Sequence, residues 1–360
     1  MTTLRKVSTT AAALAAVALT VAACSSSTAS SSATTTSSSA AGGCKAGMQA
    51  SGVAALPGYQ VCLFVGATTA ANHPDDVRVV GDKVWIQWQN ITAKDCSSPK
   101  PSTISEYTTS GQLLKSWSVI GHADGMRWDA ATNQMWVTSC EDAAPRFYTI
   151  DPSSSTATEI KLPPNPWGGG LDDLTFINGS AYVSASNPTL NSAGINKFPA
   201  LLKLTLSGTT ATYAPALAGD PKVTTLNPPI VSTTQNLTDA DSQTTDPQGD
   251  LVLMSQADDA LLFIHNVGTP AQTVKALSVG TQVDQTVWPT STKGCLLIAD
   301  NASGVFSACS SLWVPSQPLT SSPNDAGVIS FVGTLTLSTG QITPIIVGIP
   351  NSHGMDFLPK

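Results

Sequence analysis

One pattern recurs down this chain and leaves few folds open to it. An acidic residue ends a loop, a short apolar strand follows, a polar turn reverses the chain, and a second apolar strand runs back. The pattern is plainest at Asp124-Gly-Met-Arg-Trp-Asp129, followed by Gln134-Met-Trp-Val-Thr-Ser139. Variants begin at Asp75, Asp172, Asp241 and Asp284, and a sixth start, Ser352-His-Gly-Met-Asp-Phe-Leu358, lies at the end of the chain. The turns agree with this reading. Asn178-Gly179 is a two-residue hairpin signal because both residues accept positive φ. Asp151-Pro-Ser, Asp246-Pro-Gln-Gly249 and Ser338-Thr-Gly340 close other hairpins. No sustained helical period appears after residue 45.

Each complete start is followed by strand-like runs in groups of four, which is the signature of an all-β fold, a β-propeller. A propeller hides its sheet edges by radial packing and must close its ring. The last start has only Pro359 and Lys360 after it, so it cannot build a blade alone. The stretch 45–70 holds a strand candidate, Gly58 to Val65, but no acidic start. Six four-stranded blades are therefore expected over residues 44–360, with the last blade closed by both termini. The fifth unit reads as passing from Asp284 through Cys295-Leu-Leu-Ile298, carrying an insertion near residues 310–326, and resuming at Val328 to Leu337 and Ile342 to Ile349.

The first 43 residues do not fit the repeat. Residues 1–23 read as an export signal, with Arg5 and Lys6 ahead of the apolar run Ala11 to Leu19. That run is too short to span a bilayer as a helix. Val21-Ala-Ala-Cys24 resembles the lipobox of bacterial lipoproteins. The resemblance implies lipidation of Cys24 and a chain held on a membrane, facing the periplasm or the cell exterior. Residues 24–43 supply a tether: after Cys24 they contain only Ser, Thr, Ala and Gly, and would hold the body about 25 Å from the anchor on average. Cysteine usage agrees with export, since six of the seven remain after Cys24, an even number suited to an oxidising compartment. Cys295 and Cys309 flank one turn symmetrically, and Cys96 and Cys140 each follow the second strand of consecutive repeats. That leaves Cys44 for Cys62. The formal charge is −7 and no Lys/Arg cluster occurs, so nucleic acid is not an expected partner. A monomer is expected.

The starts Asp-Gly-Met-Arg-Trp-Asp and His-Gly-Met-Asp-Phe, together with the turns quoted above, resemble the six-bladed propeller superfamily of NHL-repeat proteins and SMP-30/gluconolactonase-type lactonases. The resemblance implies the fold over most of residues 60–360. For the lactonases it also implies a divalent cation held by Glu, Asn and Asp in the central channel, though no Glu of this chain matches that set by motif.

Aligned by their starts, Asp75, Asp124, Asp172, Asp241, Asp284 and His353 occupy one equivalent position, at the mouth of the channel. Five carboxylates in a ring repel one another unless something offsets their charge. A Ca²⁺ or another divalent cation is one answer. Neighbouring backbone amides are the other, each Asp then pinning the next blade. His122 and His353 flank equivalent starts and are the candidates for acid–base work, with bonded loop residues as the structural alternative. Asp76 and Asp173 form a candidate second layer, and Trp167, in Pro166-Trp-Gly-Gly-Gly170, a candidate ligand contact on the rim. Trp128 and Trp288 are expected in the core. No G-x-S-x-G, H-E-x-x-H or P-loop motif is present. Three functions remain open: first a membrane-anchored platform that binds a small molecule or protein at the channel mouth without catalysis, then a metal-dependent hydrolase of lactones or esters, and a purely structural envelope protein.

Overall fold

Six short strands, one from each repeat start, stand next to one another around a common axis. They are Pro74–Val80, Ala123–Asp129, Gly170–Ile177, Ala240–Thr245, Thr286–Val287 and Ser352–Pro359, and the last neighbours the first, closing the ring. The computed structural model describes residues 50–98, 100–325 and 327–360, all strand and loop apart from one 3-10 turn at Gln256–Asp258. Each inner strand begins a sheet that runs outwards, giving a six-bladed β-propeller. Blades 1 to 3 are four-stranded antiparallel meanders, as the turn signals predict. Blade 4 gains two outer strands, Lys222–Thr225, parallel to Thr273–Ser278, and Ser232–Thr234. The export signal at 1–23, the tether at 24–43, Cys24 and Cys44 lie outside the described residues. Among those described, no helix is long and apolar enough to cross a membrane.

Both termini enter blade 6, with Ser352–Pro359 innermost and Gln60–Gly66 outermost. The two strands between them correct the expected fifth unit. The hairpin Gly294–Asp300 and Gly304–Ser310 leaves blade 5 after its inner strand and fills the middle of blade 6. Blade 5 takes its second strand, Leu319–Ser322, from the stretch read as an insertion. The reason is burial. Every residue of Gly294–Asp300 is buried, which suits a central strand covered on both faces.

Six apolar clusters hold the ring, one between each pair of adjacent blades. Side chains alternate across a strand, so each middle strand feeds two clusters. Leu251 and Leu253 face blade 3, whereas Val252 and Met254 face blade 5. Leu296 and Ile298 face blade 5, whereas Leu297 and Ala299 face blade 1. The tryptophans belong here: Trp85 stacks on Trp117 with centroids 5.0 Å apart, while Trp128 and Trp288 pack against the clusters beside blades 2 and 4. Two disulfides between described residues fasten loops and strands. Cys96–Cys140 joins blades 1 and 2, and Cys295–Cys309 links directly paired residues of the blade 6 hairpin.

Candidate functional site at the channel mouth

Below the mouth, the axis is filled by charge. Arg78 of blade 1 donates to the Met126 and Met355 carbonyls and reaches Asp173 of blade 3. Arg127 of blade 2 donates to the Leu174 and Gln243 carbonyls and to Asp173 Oδ2, at 2.9 Å. Asp76 pairs with Arg78 and accepts the Met126 amide, and Asp173 accepts the amides of Leu174 and Gln243. Asp76 and Asp173 therefore sit inside the axis, against the arginines. Buried and fully engaged, they pin neighbouring blades, which is the task the sequence reading offered to the ring aspartates one residue earlier. Glycine at the same position of blades 2 and 6 makes room for them. A Cβ at Gly125 would overlap Asp173, and one at Gly354 would lie 2.5 Å from the Asp75 carbonyl oxygen. Trp167 is a second correction. It is 1% exposed, packs edge-on against Tyr213 and donates its indole N–H to the Gly170 carbonyl, so it is core rather than rim.

Residues at or near the starts of the inner strands gather at the mouth, with two groups close enough to share an ion. In one, His353 Nδ1 lies 2.8 Å from Asp284 and 3.1 Å from Asp75. Its Nε2, buried and without a hydrogen-bond partner, stands 3.7 Å from Asp325. Burial works against charge on this ring, but the Asp284 carboxylate more than offsets it and, with Asp325 and Asp75, holds His353 well above the usual histidine range. Asp284 is pushed up to about 6 by burial, in spite of His353.

In the other group, His122, Asp124 and Glu141 each bring a ligand-type atom within 4.8 Å of the others. The His122 Nδ1–H donates to the Thr92 carbonyl at 2.9 Å, which leaves Nε2 with its lone pair free. Burial lowers the pKa of this ring, against the pull of Glu141 and Asp75. Asp124 accepts one bond from Gln89 through Oδ1, and its buried Oδ2 has none. Glu141 meets Lys94 Nζ at 2.5 Å; burial alone would raise its pKa, but Lys94 holds it below the usual range. Asp172 and Asp241 complete the ring. Burial raises both, reinforced by Asp241 next to Asp172 and by Asp284 next to Asp241.

Glu141, Lys94, Asp239 and Asp325 escaped the repeat alignment because they lie on loops between strands. A signal for two of them was nevertheless present. Lys94 stands two residues before Cys96 and Glu141 directly follows Cys140, so the disulfide that joins the rim brings opposite charges together. Two hollows open at the mouth. One of about 240 Å³ is lined by His73, Asp75, His122, Asp325 and His353, and one of about 260 Å³ by Glu141, Asn187, Asp239 and Asp241. Lys94 lines both.

These charges make stability depend on pH with a definite sign. Asp172, Asp241, Asp284 and Asp239, the last raised to about 6 by burial and Glu141, keep protons in the folded state that the unfolded chain releases. Their contribution is present near their unfolded pKa of about 4 and is lost as pH rises through the folded values. His353 acts in the same direction, above about pH 6.5. Asp325, drawn down to about 2 by His353 against its own burial, acts in the opposite sense but only below about pH 4, and His122, lowered by burial, opposes the larger carboxyl set below about pH 6.5. In buffer with chelator, the melting temperature is expected to fall between about pH 5 and pH 8. A flat or rising profile would contradict this charge assignment.

No protein-family model matches the chain, and no curated protein matches it. Among solved structures it is similar to a putative gluconolactonase, with 12% identity, 82% of this chain and 83% of that chain covered, and a TM-score of 0.45. It is also similar to the periplasmic gluconolactonase of Pseudomonas aeruginosa, with 9% identity, 79% and 88% covered, and a TM-score of 0.42. A streptogramin B lyase matches with 11% identity, 84% and 87% covered, and a TM-score of 0.43.

Proposed function

We propose that the mouth of this propeller binds one divalent cation through His122, Asp124 and Glu141 and hydrolyses a small ester or lactone beside it. The observation that carries the reading is the convergence of three buried side chains, among which His122 Nε2 and Asp124 Oδ2 have no hydrogen-bond partner. One imidazole and two carboxylates suit Ca²⁺, Mn²⁺ or Zn²⁺. A cation held there would polarise a carbonyl and lower the pKa of water. The chain's own part is separate. Thr92 fixes the His122 tautomer, the arginine layer closes the axis behind the ligand, and His353, 2.8 Å from an Asp284 carboxyl that burial pushes up to about 6, forms with it a proton-carrying pair.

The other reading, a ligand or protein platform without catalysis, is favoured by the small size of the two hollows. Cys24 lipidation, with residues 24–43 as tether and the body outside the cytoplasmic membrane, is compatible with both. The test is metal analysis of the purified protein, then hydrolysis of a panel of lactones and esters with and without EDTA. Absence of bound metal and of any cation response sinks the proposal, whereas bound metal without turnover selects the platform. Incorporation of a labelled lipid precursor, lost in Cys24→Ala, tests the anchor.

A further inference from the structure

Lys94 stands where a bound cation would repel it. Its ammonium lies 2.5 Å from a Glu141 carboxylate oxygen, yet its side chain is 57% exposed. The backbone that carries it is tied on both sides of Glu141. Cys96 is bonded to Cys140, and the Asp142 amide donates to the Lys94 carbonyl at 3.2 Å. Thr92 and Cys96 hold the loop internally, the first by donating to the Gln89 carbonyl at 2.6 Å and the second to the Ala93 carbonyl at 3.0 Å. The loop is thus fixed, whereas the Lys94 side chain is more than half exposed and is ion-paired to Glu141. It also lines both hollows.

We propose that Lys94 is a tethered ammonium that stands in for the cation at Glu141, and that cation binding displaces it and joins the two hollows into one ligand site. This rests on the cation reading above and adds a gate to it. An ammonium and a divalent cation cannot share one carboxylate without strong repulsion in a site shielded from water. Each hollow, at about 240 and 260 Å³, falls below the roughly 300–1,000 Å³ of small-molecule pockets, but the two together fall inside that range. The gate therefore also governs ligand size: without a cation the mouth accepts only very small molecules.

The experiment compares the full chain with Lys94→Gln and Lys94→Arg. Affinity for Ca²⁺ and Mn²⁺ is read from thermal-shift titrations. Acylation of Lys94 by an amine-reactive ester is read by peptide mass spectrometry, with and without cation. Lys94→Gln is expected to bind cation about tenfold more tightly or better, a change of at least 1.4 kcal/mol, while Lys94→Arg stays near wild type. Lys94 acylation is expected to rise as the cation saturates. Equal affinity in wild type and Lys94→Gln, weaker binding in Lys94→Gln, or protection of Lys94 by cation overturns the gate but leaves the cation site standing. No cation response in wild type or Lys94→Gln removes the site, and the gate with it.

Discussion

Asp173→Ala is expected to lower the unfolding free energy by about 3–5 kcal/mol, the cost of removing one member of a buried ion-pair network. Its Oδ2 takes Arg127 at 2.9 Å, Arg78 at 3.4 Å and the Gln243 amide at 2.9 Å, while Oδ1 takes the Leu174 amide at 2.7 Å. Alanine leaves two guanidinium groups on the axis with Asp76 and, further off, Asp356 as counter-charges, and removes the acceptor of two buried amides. Asp173→Asn keeps the shape and loses the charge, so its effect should be intermediate. The exposed pair Asp82–Lys83 is the control, since exposed ion pairs add little. Urea denaturation of Asp173→Ala, Asp173→Asn and Asp82→Ala separates the cases. A loss below about 1 kcal/mol in Asp173→Ala would mean that the apolar clusters alone hold the ring.

The second large effect concerns binding and runs against stability. Asp124→Asn is expected to weaken cation affinity by about 100-fold or more, because even residues one bond removed from a metal ligand are worth roughly 10–100-fold. The cation-free protein should be no less stable, and somewhat more so. Burial, then Glu141 and Asp75, already push the Asp124 carboxyl well above its ordinary range, so the folded state favours a neutral group. Asparagine supplies one of the same shape and retains the acceptor used by Gln89. Melting temperatures in EDTA and in saturating Ca²⁺ or Mn²⁺ read both halves. A cation shift as large as wild type would exclude Asp124 as a ligand.

The fold was legible in the sequence because its instructions are local. Alternation along each strand, Asn178-Gly179 and the acidic starts specify hairpins wherever they fall. The sheet that a hairpin joins is a long-range choice, and no local signal assigns Gly294–Ser310 to blade 6. The site divides in the same way. Equivalence of the starts placed Asp75, Asp124, Asp172, Asp241, Asp284 and His353 together correctly. It does not separate the residue that faces the mouth from its neighbour that faces the arginines, so Asp76 and Asp173 look like mouth residues in the sequence although they pair with Arg78 and Arg127. Trp167 misled through its glycines, which suggested an open loop although the indole packs inwards. Glu141 belongs to no repeat position, and only its place beside Cys140 marked it.

The construction of blade 6 also bears on timing. Its four strands come from three separated stretches of chain: 60–66, 294–310 and 352–359. Such non-local pairing is slow to form and leaves strand edges exposed while it waits. During synthesis the first five inner strands can be made in order, but the ring has no seal until the last eight residues of Ser352–Pro359 arrive. The same strand carries His353, which bridges Asp75 near the start of the first blade and Asp284 near the start of the fifth. Half of the mouth therefore appears only when closure is complete, and a chain that stalls or is clipped before residue 352 can present blades without ever presenting a finished site.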